Sequence, residues 1–590
     1  MRIVQELLGL FSSKERRKQA LTAKLIRPQL ISESNSEADR KPQDNTHLPC
    51  DPDGVKSWLV IHSAFNNSAS VKNLTRMLAH NNSNDITPFN RLQIMQHFEK
   101  PCQHALQSLD TNYLYLDLPL TEEAENAFQT AIGISCEMAL GYKTVVAELI
   151  QHKTKDATDC RKQAISLALR HLTSIAMKHA QTYREWPKDL WQDANAFARL
   201  AMLEPQGKGK KGNKTCRILQ SGEEPLDSLQ LYSRLCMLHI LNTNSYRPEQ
   251  LQELYVALTK LPAMSFESQA TGQGYQDYSV CADSEPVQSQ FTRCNKSDNA
   301  LYFSIASQLT LLESQKDHAT DPAIYSLINL ADTQRRNVSR VSRNNLINAQ
   351  SGLKEIHALM RVEPPSKNFN AQSNHPAVLN EDDSSRAQNT NDLLNAVTPA
   401  EFGADFIVEN QGENGFGLRW SKAGICSLQV GELIAHCYRN NINQLAWYLA
   451  VVRWLKADTD KSLRLGIETI TRHADACDVY RLNKGDEQNN TPVEGLLAEY
   501  SSTGRKVTLI LLPLHKFKPG ETVGYRDREG FKLVKLLEPV SLRGNFQCFA
   551  VNTVTDSSNP VLDSIDPALS VQGSQRSEAM HQLRTSIAAE

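Results

Sequence analysis

The sequence lacks a dominant charge: 64 lysines and arginines stand against 66 aspartates and glutamates in 590 residues, a formal net charge of -2. That balance leaves no long-range field to gather long nucleic acids or anionic membranes, so no such partner is expected and any basic patch must act locally. No apolar run approaches the roughly 18–20 residues that cross a bilayer. Lys14, Arg16, Arg17 and Lys18 follow the first apolar stretch instead of preceding it, the reverse of a signal peptide, and a cytoplasmic location is the expectation. The twelve cysteines include no C-x-x-C pair and no cluster with histidine at zinc-finger spacing, so they read as reduced core residues, and no metal is assigned. G-x-S-x-G, H-E-x-x-H and G-x-G-x-x-G are also missing. The acidic pairs Glu122-Glu123 and Asp382-Asp383 suit a helix start and a linker. No catalytic residue is assigned, and the chain is read as something other than an enzyme.

What is present divides the chain into several domains, because 590 residues exceed what one core can serve. Residues 1–55 are read as a disordered N-terminal segment, polar from Ser32 to Asp53. Trp58 to Ile61 is an apolar run with the look of a strand. A mainly helical domain follows over 56–330. Phe128, Ile132, Ala139, Tyr142, Val146 and Leu149, and then Ile165, Leu169, Leu172, Ala176, His179 and Tyr183, recur at three- and four-residue steps. Each set makes one apolar stripe on a helix. Further helices are expected at 187–203, 226–243, 247–261, 299–314 and 322–331, with Pro187, Pro248 and Pro322 at their starts. The helices form either a bundle or a tetratricopeptide-like hairpin array, since no consensus repeats at a fixed period. The segment 207–215 (GKGKKGNKT) comes near a P-loop, but carries an extra residue and follows a helical pattern where a strand is needed, so it reads as a basic loop. His171 and His179 are eight residues apart, too far for one metal, and read as core histidines.

After Phe402 the period changes to two, in Phe406/Val408, Phe416/Leu418/Trp420, Leu445/Trp447/Leu449/Val451 and Leu463/Leu465/Ile467. Short strands with glycine turns imply a small barrel over 331–475, interrupted by a polar insertion at about 365–396. A second small β domain is expected over 476–555, its strands parted by turns at Pro519-Gly520, Glu529-Gly530 and Arg543-Gly544. A mobile tail over 556–590 completes a multidomain α + β fold.

The chemistry concentrates at two places. Gln334 to Arg343 holds Arg335, Arg336, Arg340 and Arg343, with Arg336 and Arg340 in an R-x-x-x-R element ahead of the barrel strands. Asn410-Gln411-Gly412-Glu413-Asn414-Gly415 has the form [D/N]-x-S-x-x-G with glycine in place of the serine. Together these resemble the PilZ family. The resemblance implies a six-stranded barrel that clamps cyclic di-GMP between an arginine arm and the turn. It covers about 334–475, and Val430 to Ile434 with Val451 to Trp454 and Leu465 to Glu468 look like its later strands.

The residue types suit that ligand. Cyclic di-GMP offers phosphodiesters and guanine edges with adjacent N7 and O6 acceptors, each matched by the two parallel donors of a guanidinium. Each such pair is worth roughly 1–3 kcal/mol, so two arginines with stacking and turn contacts reach about -8 kcal/mol, the micromolar range. Arg335 and Arg343 would add stacking or phosphate charge. Asn410 can offer its amide to a guanine, while Gly412 and Gly415 are expected to let the backbone approach the ligand and adopt φ > 0. Gly412 forgoes one hydroxyl donor, about 0.5–1.5 kcal/mol. The expected function is a cyclic di-GMP receptor whose helical domain engages a protein partner, with no cofactor. The alternative is an interaction scaffold with a degenerate, ligand-free barrel.

Overall fold

The computed structural model describes residues 48–62, 67–150, 152, 154–203, 227–267, 278–280, 286–289, 300–314, 341–362, 404–412, 415–420, 426–439, 445–458, 462–471, 474–481, 491–502, 505–528, 530–539 and 545–553. The chain divides into two compact units, Met1–Leu116 with Leu120–Leu330, and Asp117–Pro119 with Ala331–Glu590.

The first unit is built from α1 (Pro52–Ile61), α2 (Ser68–Ser83), α3 (Pro88–Asp110), α4 (Glu122–Leu149), α5 (Lys155–Gln181), α6 (Lys188–Leu203), α7 (Ser228–Ile240) and α8 (Pro248–Thr259). Prolines occupy the first turns of α1, α3 and α8. Thr121 and Thr154 cap α4 and α5 by accepting from the amides of Ala124 and Ala157. The predicted stripe from Phe128 to Leu149 is buried on α4, and Ile165, Leu169, Leu172 and Ala176 are buried on α5, while His179 is partly exposed and Tyr183 is buried just past the helix end; the two long helices pack against each other. Glu99 of α3 locks onto them, accepting from the Tyr142 hydroxyl at 2.6 Å and pairing with Arg170 and with His171 Nε2 at 3.1 Å. His179 sets its ring edge-on to Phe128. Both histidines are packing residues.

Two expectations need correction here. Trp58 to Ile61 is helical, because Asp51 caps Gly54, Pro52 fixes the first turn, and Val55 and Leu59 four residues apart supply the buried face. Val60 and Ile61 are then left at the surface. The helix expected over 299–314 begins only at Ala306; ahead of it Leu301–Phe303 (β3) joins Tyr278–Val280 (β1) and Gln288–Ser289 (β2) in a sheet of order β2-β1-β3, and α9 spans Ala306–Ser314. Phe266, Phe303 and Tyr278 stack through that sheet, which is why an aromatic-rich stretch takes β form. The segments 207–215, 322–331 and 365–396 lie outside the described residues.

The second unit contains two closed barrels. The first comprises β4 (Val341–Ser351), β5 (Ala404–Gln411), β6 (Gly415–Trp420), β7 (Leu433–Arg439), β8 (Leu445–Ala457) and β9 (Leu463–Thr471), in the order β4-β5-β6-β9-β8-β7. The second comprises β10 (Ala474–Arg481), β11 (Val493–Ser502), β12 (Arg505–Pro513), β13 (Thr522–Asp527), β14 (Gly530–Pro539) and β15 (Phe546–Thr553), in the order β10-β11-β12-β15-β14-β13. Both run first-second-third-sixth-fifth-fourth, so the small β domain read from the sequence is a topological duplicate of the barrel before it. Only residues 472 and 473 separate β9 from β10.

One helix, α10 (Leu353–Val362), follows β4 directly after Gly352, whose φ of +85° makes a glycine the natural residue there. Ile356 and Met360 of α10 join Leu433 and Val451 of the first barrel and Leu496, Leu509 and Leu511 of the second in a single hydrophobic core. Polar contacts reinforce the seat. Arg361 pairs with Asp478, His357 Nε2 lies 3.5 Å from the same carboxylate, and Arg528 donates to the Met360 carbonyl at 2.7 Å. The inside of the second barrel is a separate core around Val479, Ile510, Val534, Leu536 and Phe549. Strand β12 is therefore buried on both faces, which explains its unbroken apolar run.

Candidate functional site

The turn that carries Asn410 to Gly415 joins β5 to β6, and the Gly412 amide closes it by donating to the Gly415 carbonyl at 2.9 Å. Strand β4 pairs antiparallel with β5, placing Val341 opposite Gln411 and Ser342 opposite Asn410. Val341, the residue that follows Arg340 in sequence, thus lies beside the turn, although some seventy residues part the two motifs in sequence. Arg335, Arg336 and Arg340 themselves lie outside the described residues. Arg343 does not belong to a preceding arm: β4 begins at Val341, so Arg343 is a strand residue, within a bulge between Ser342 and Asn345.

The two turn glycines differ from expectation. Neither Gly412 nor Gly415 has a positive φ. Gly415 is demanded by close approach instead: a Cβ there would fall 2.2 Å from the Ile467 carbonyl oxygen on β9. Gly412 is unconstrained, its nearest neighbour for a Cβ being the Gly415 oxygen at 3.8 Å. A serine could stand at 412 without disturbing the turn.

Two ion pairs among the described residues flank the turn. Arg419 Nε meets Glu409 Oε1 at 3.2 Å, and Arg453 pairs with Glu468, the residue opposite Gly415. Below it the barrel interior is apolar, with Phe406, Leu418, Leu465 and Ile467 buried. Inside it His436 is sandwiched between Tyr448 and the edge of Phe416, and burial pushes its pKa down to about 4. Sequence reasoning did not single out Gly417, Gly466 or Trp454, which the strand register places in line with Asn410. Their relation exists only once four strands are paired, so no local signal carries it.

Among the described residues no group of three or more acidic, histidine or cysteine side chains is arranged to hold a metal, and no helix is long and apolar enough to cross a membrane. Cys50, Cys102, Cys136, Cys236, Cys426, Cys477 and Cys548 form no disulfide.

Comparison with known proteins bears on both units. Residues 53–265 match the family model described as the N-terminal domain of the cyclic-di-GMP receptor FimW. Residues 324–476 match that of the middle PilZ domain of the same receptor. A protein of Pseudomonas aeruginosa named cyclic-di-GMP receptor FimW is 21% identical over 548 residues, covering 80% of this chain and 86% of its own length. No solved structure matches the chain. The closed barrel β4–β9, with its glycine turn beside Val341, falls wholly within the second matched region. The barrel β4–β9 is therefore a PilZ domain.

Proposed function

We propose that the chain is a bacterial cyclic di-GMP receptor, holding the dinucleotide between the arginines ahead of β4 and the β5–β6 turn. The observation that carries this reading is the pairing of Val341 with Gln411, which brings the entry of the arginine segment alongside Asn410. Arg336 and Arg340 supply forked donors for phosphate and guanine edges, Asn410 offers its amide, and Arg335 and Arg343 add charge at the rim. The name of the Pseudomonas aeruginosa relative supports the same ligand. In this reading the protein acts in the cytoplasm without catalysis or cofactor, and the ligand changes how the helical unit presents itself to a protein partner. The ligand-free scaffold has one observation in its favour, the missing hydroxyl at Gly412.

The test is calorimetric titration of the full chain with cyclic di-GMP. Saturable binding near the micromolar range is expected, with Arg336→Ala or Arg340→Ala each weakening it at least about tenfold. A folded wild-type chain that takes up no ligand would establish the scaffold instead.

A further inference from the structure

A row of four residues runs across the outside of the PilZ barrel. Asn410 on β5 pairs with Gly417 on β6, Gly417 pairs with Gly466 on β9, and Gly466 pairs with Trp454 on β8. Leu418, Leu465 and Ile467, their neighbours in sequence, are buried in the barrel. Because side chains alternate along a strand, the two glycines face outward.

Both ends of the row fold inward over the glycines. A Cβ on Gly417 would lie 2.6 Å from the Asn410 amide nitrogen, and a Cβ on Gly466 would lie 1.9 Å from Trp454 Nε1. The missing side chains let the Asn410 amide and the Trp454 indole lie against the barrel wall. Register shifts occur on β5 between Val408 and Asn410 and on β8 between Val452 and Trp454, immediately before each of these residues. A bulge of this kind re-aims the side chain that follows it. Trp454 is only partly buried, so the residue keeps some surface in solvent. Strands lie about 4.8 Å apart, which sets an aromatic plane and an amide side by side at roughly the size of one purine.

We infer that Trp454 is a base-stacking platform of the ligand site: a purine ring lies on its indole with its hydrogen-bonding edge toward Asn410, and Gly466 is a positioning residue that lets the indole lie flat. The inference rests on the cyclic di-GMP reading and adds a specificity element to it, since an indole face favours a planar base where arginines alone would accept any phosphodiester.

Titration of full-length Trp454→Leu, Trp454→Phe and Gly466→Ala with cyclic di-GMP tests it, alongside the wild type and with thermal melts to establish folding. Trp454→Leu should bind about five- to 150-fold more weakly, the range for loss of one stacked base. Trp454→Phe should retain most of the affinity but lose the indole emission change that ligand produces in the wild type. Gly466→Ala should weaken binding by displacing the indole. Folded Trp454→Leu that binds as tightly as the wild type, or Trp454→Phe that keeps the full emission change, overturns the inference while leaving the receptor reading intact. Failure of the wild type to bind would sink both.

Discussion

The two barrels share one strand order and differ in what they do with their outer walls. In the first, the wall over β5, β6, β9 and β8 carries Asn410, Gly417, Gly466 and Trp454, with paired charges around it. In the second, the outward residues of β10, β11, β12 and β15 include Ala476, Leu496, Leu509, Leu511 and Cys548, all sealed in the core shared with α10 and the first barrel. The second barrel also lacks room for an arm, since two residues link it to β9. One topology thus carries the proposed ligand surface in one copy and a packing surface in the other, decided by alternate residues on four strands. Binding cannot be inherited from the fold alone.

Two substitutions sharpen that contrast. Leu511→Ala, on the buried outer wall of the second barrel, should cost about 2–5 kcal/mol in denaturant unfolding through lost burial and a cavity. The same experiment on Arg419→Ala, outside the first barrel, should register less than about 1 kcal/mol. Equal losses would mean that the two walls are not used differently.

Acid should act next, and on the first barrel. His436 is fully buried with a folded pKa of about 4, below the value of about 6.5 expected when unfolded, so the unfolded chain binds the extra proton between those pH values. Stability is unaffected by this group above about pH 6.5 and falls as pH drops toward 4, by about 3 kcal/mol in all. The second barrel has no buried histidine among its described residues. His436→Phe should flatten this part of the stability-versus-pH curve, and an unchanged curve would show that the ring is not held neutral.

The smallest effect concerns the turn. Gly412→Ser has open space around its Cβ and no positive φ to satisfy. It should leave the melting temperature unchanged and tighten cyclic di-GMP binding about two- to twelvefold by restoring a hydroxyl donor. Weaker binding would place the ligand elsewhere.

Much of this molecule is legible from residues because periodicity is local. The stripes on α4 and α5 and the alternation in β5, β6, β8 and β9 follow from side-chain direction alone. Four apolar residues in a row, Trp58 to Ile61, fit either period, and the deciding signals were Asp51 and Pro52 just upstream. The extent of β4 was obscured because its polar run, Ser342 to Asn345, borders the arginines. Gly415 announced itself as a special position, yet its reason, the Ile467 carbonyl, belongs to a strand some fifty residues away. The duplicate barrel and the Trp454 platform are properties of strand order and register, and no stretch of sequence contains either.

The central claim is that ligand binds at the first barrel and that the second is silent. Equilibrium titration of the double variant Arg336→Ala/Arg340→Ala with cyclic di-GMP, at concentrations that saturate the wild type, addresses it most directly. The account predicts one class of sites in the wild type and no saturable binding in the folded variant. A residual class of sites of undiminished affinity would contradict it.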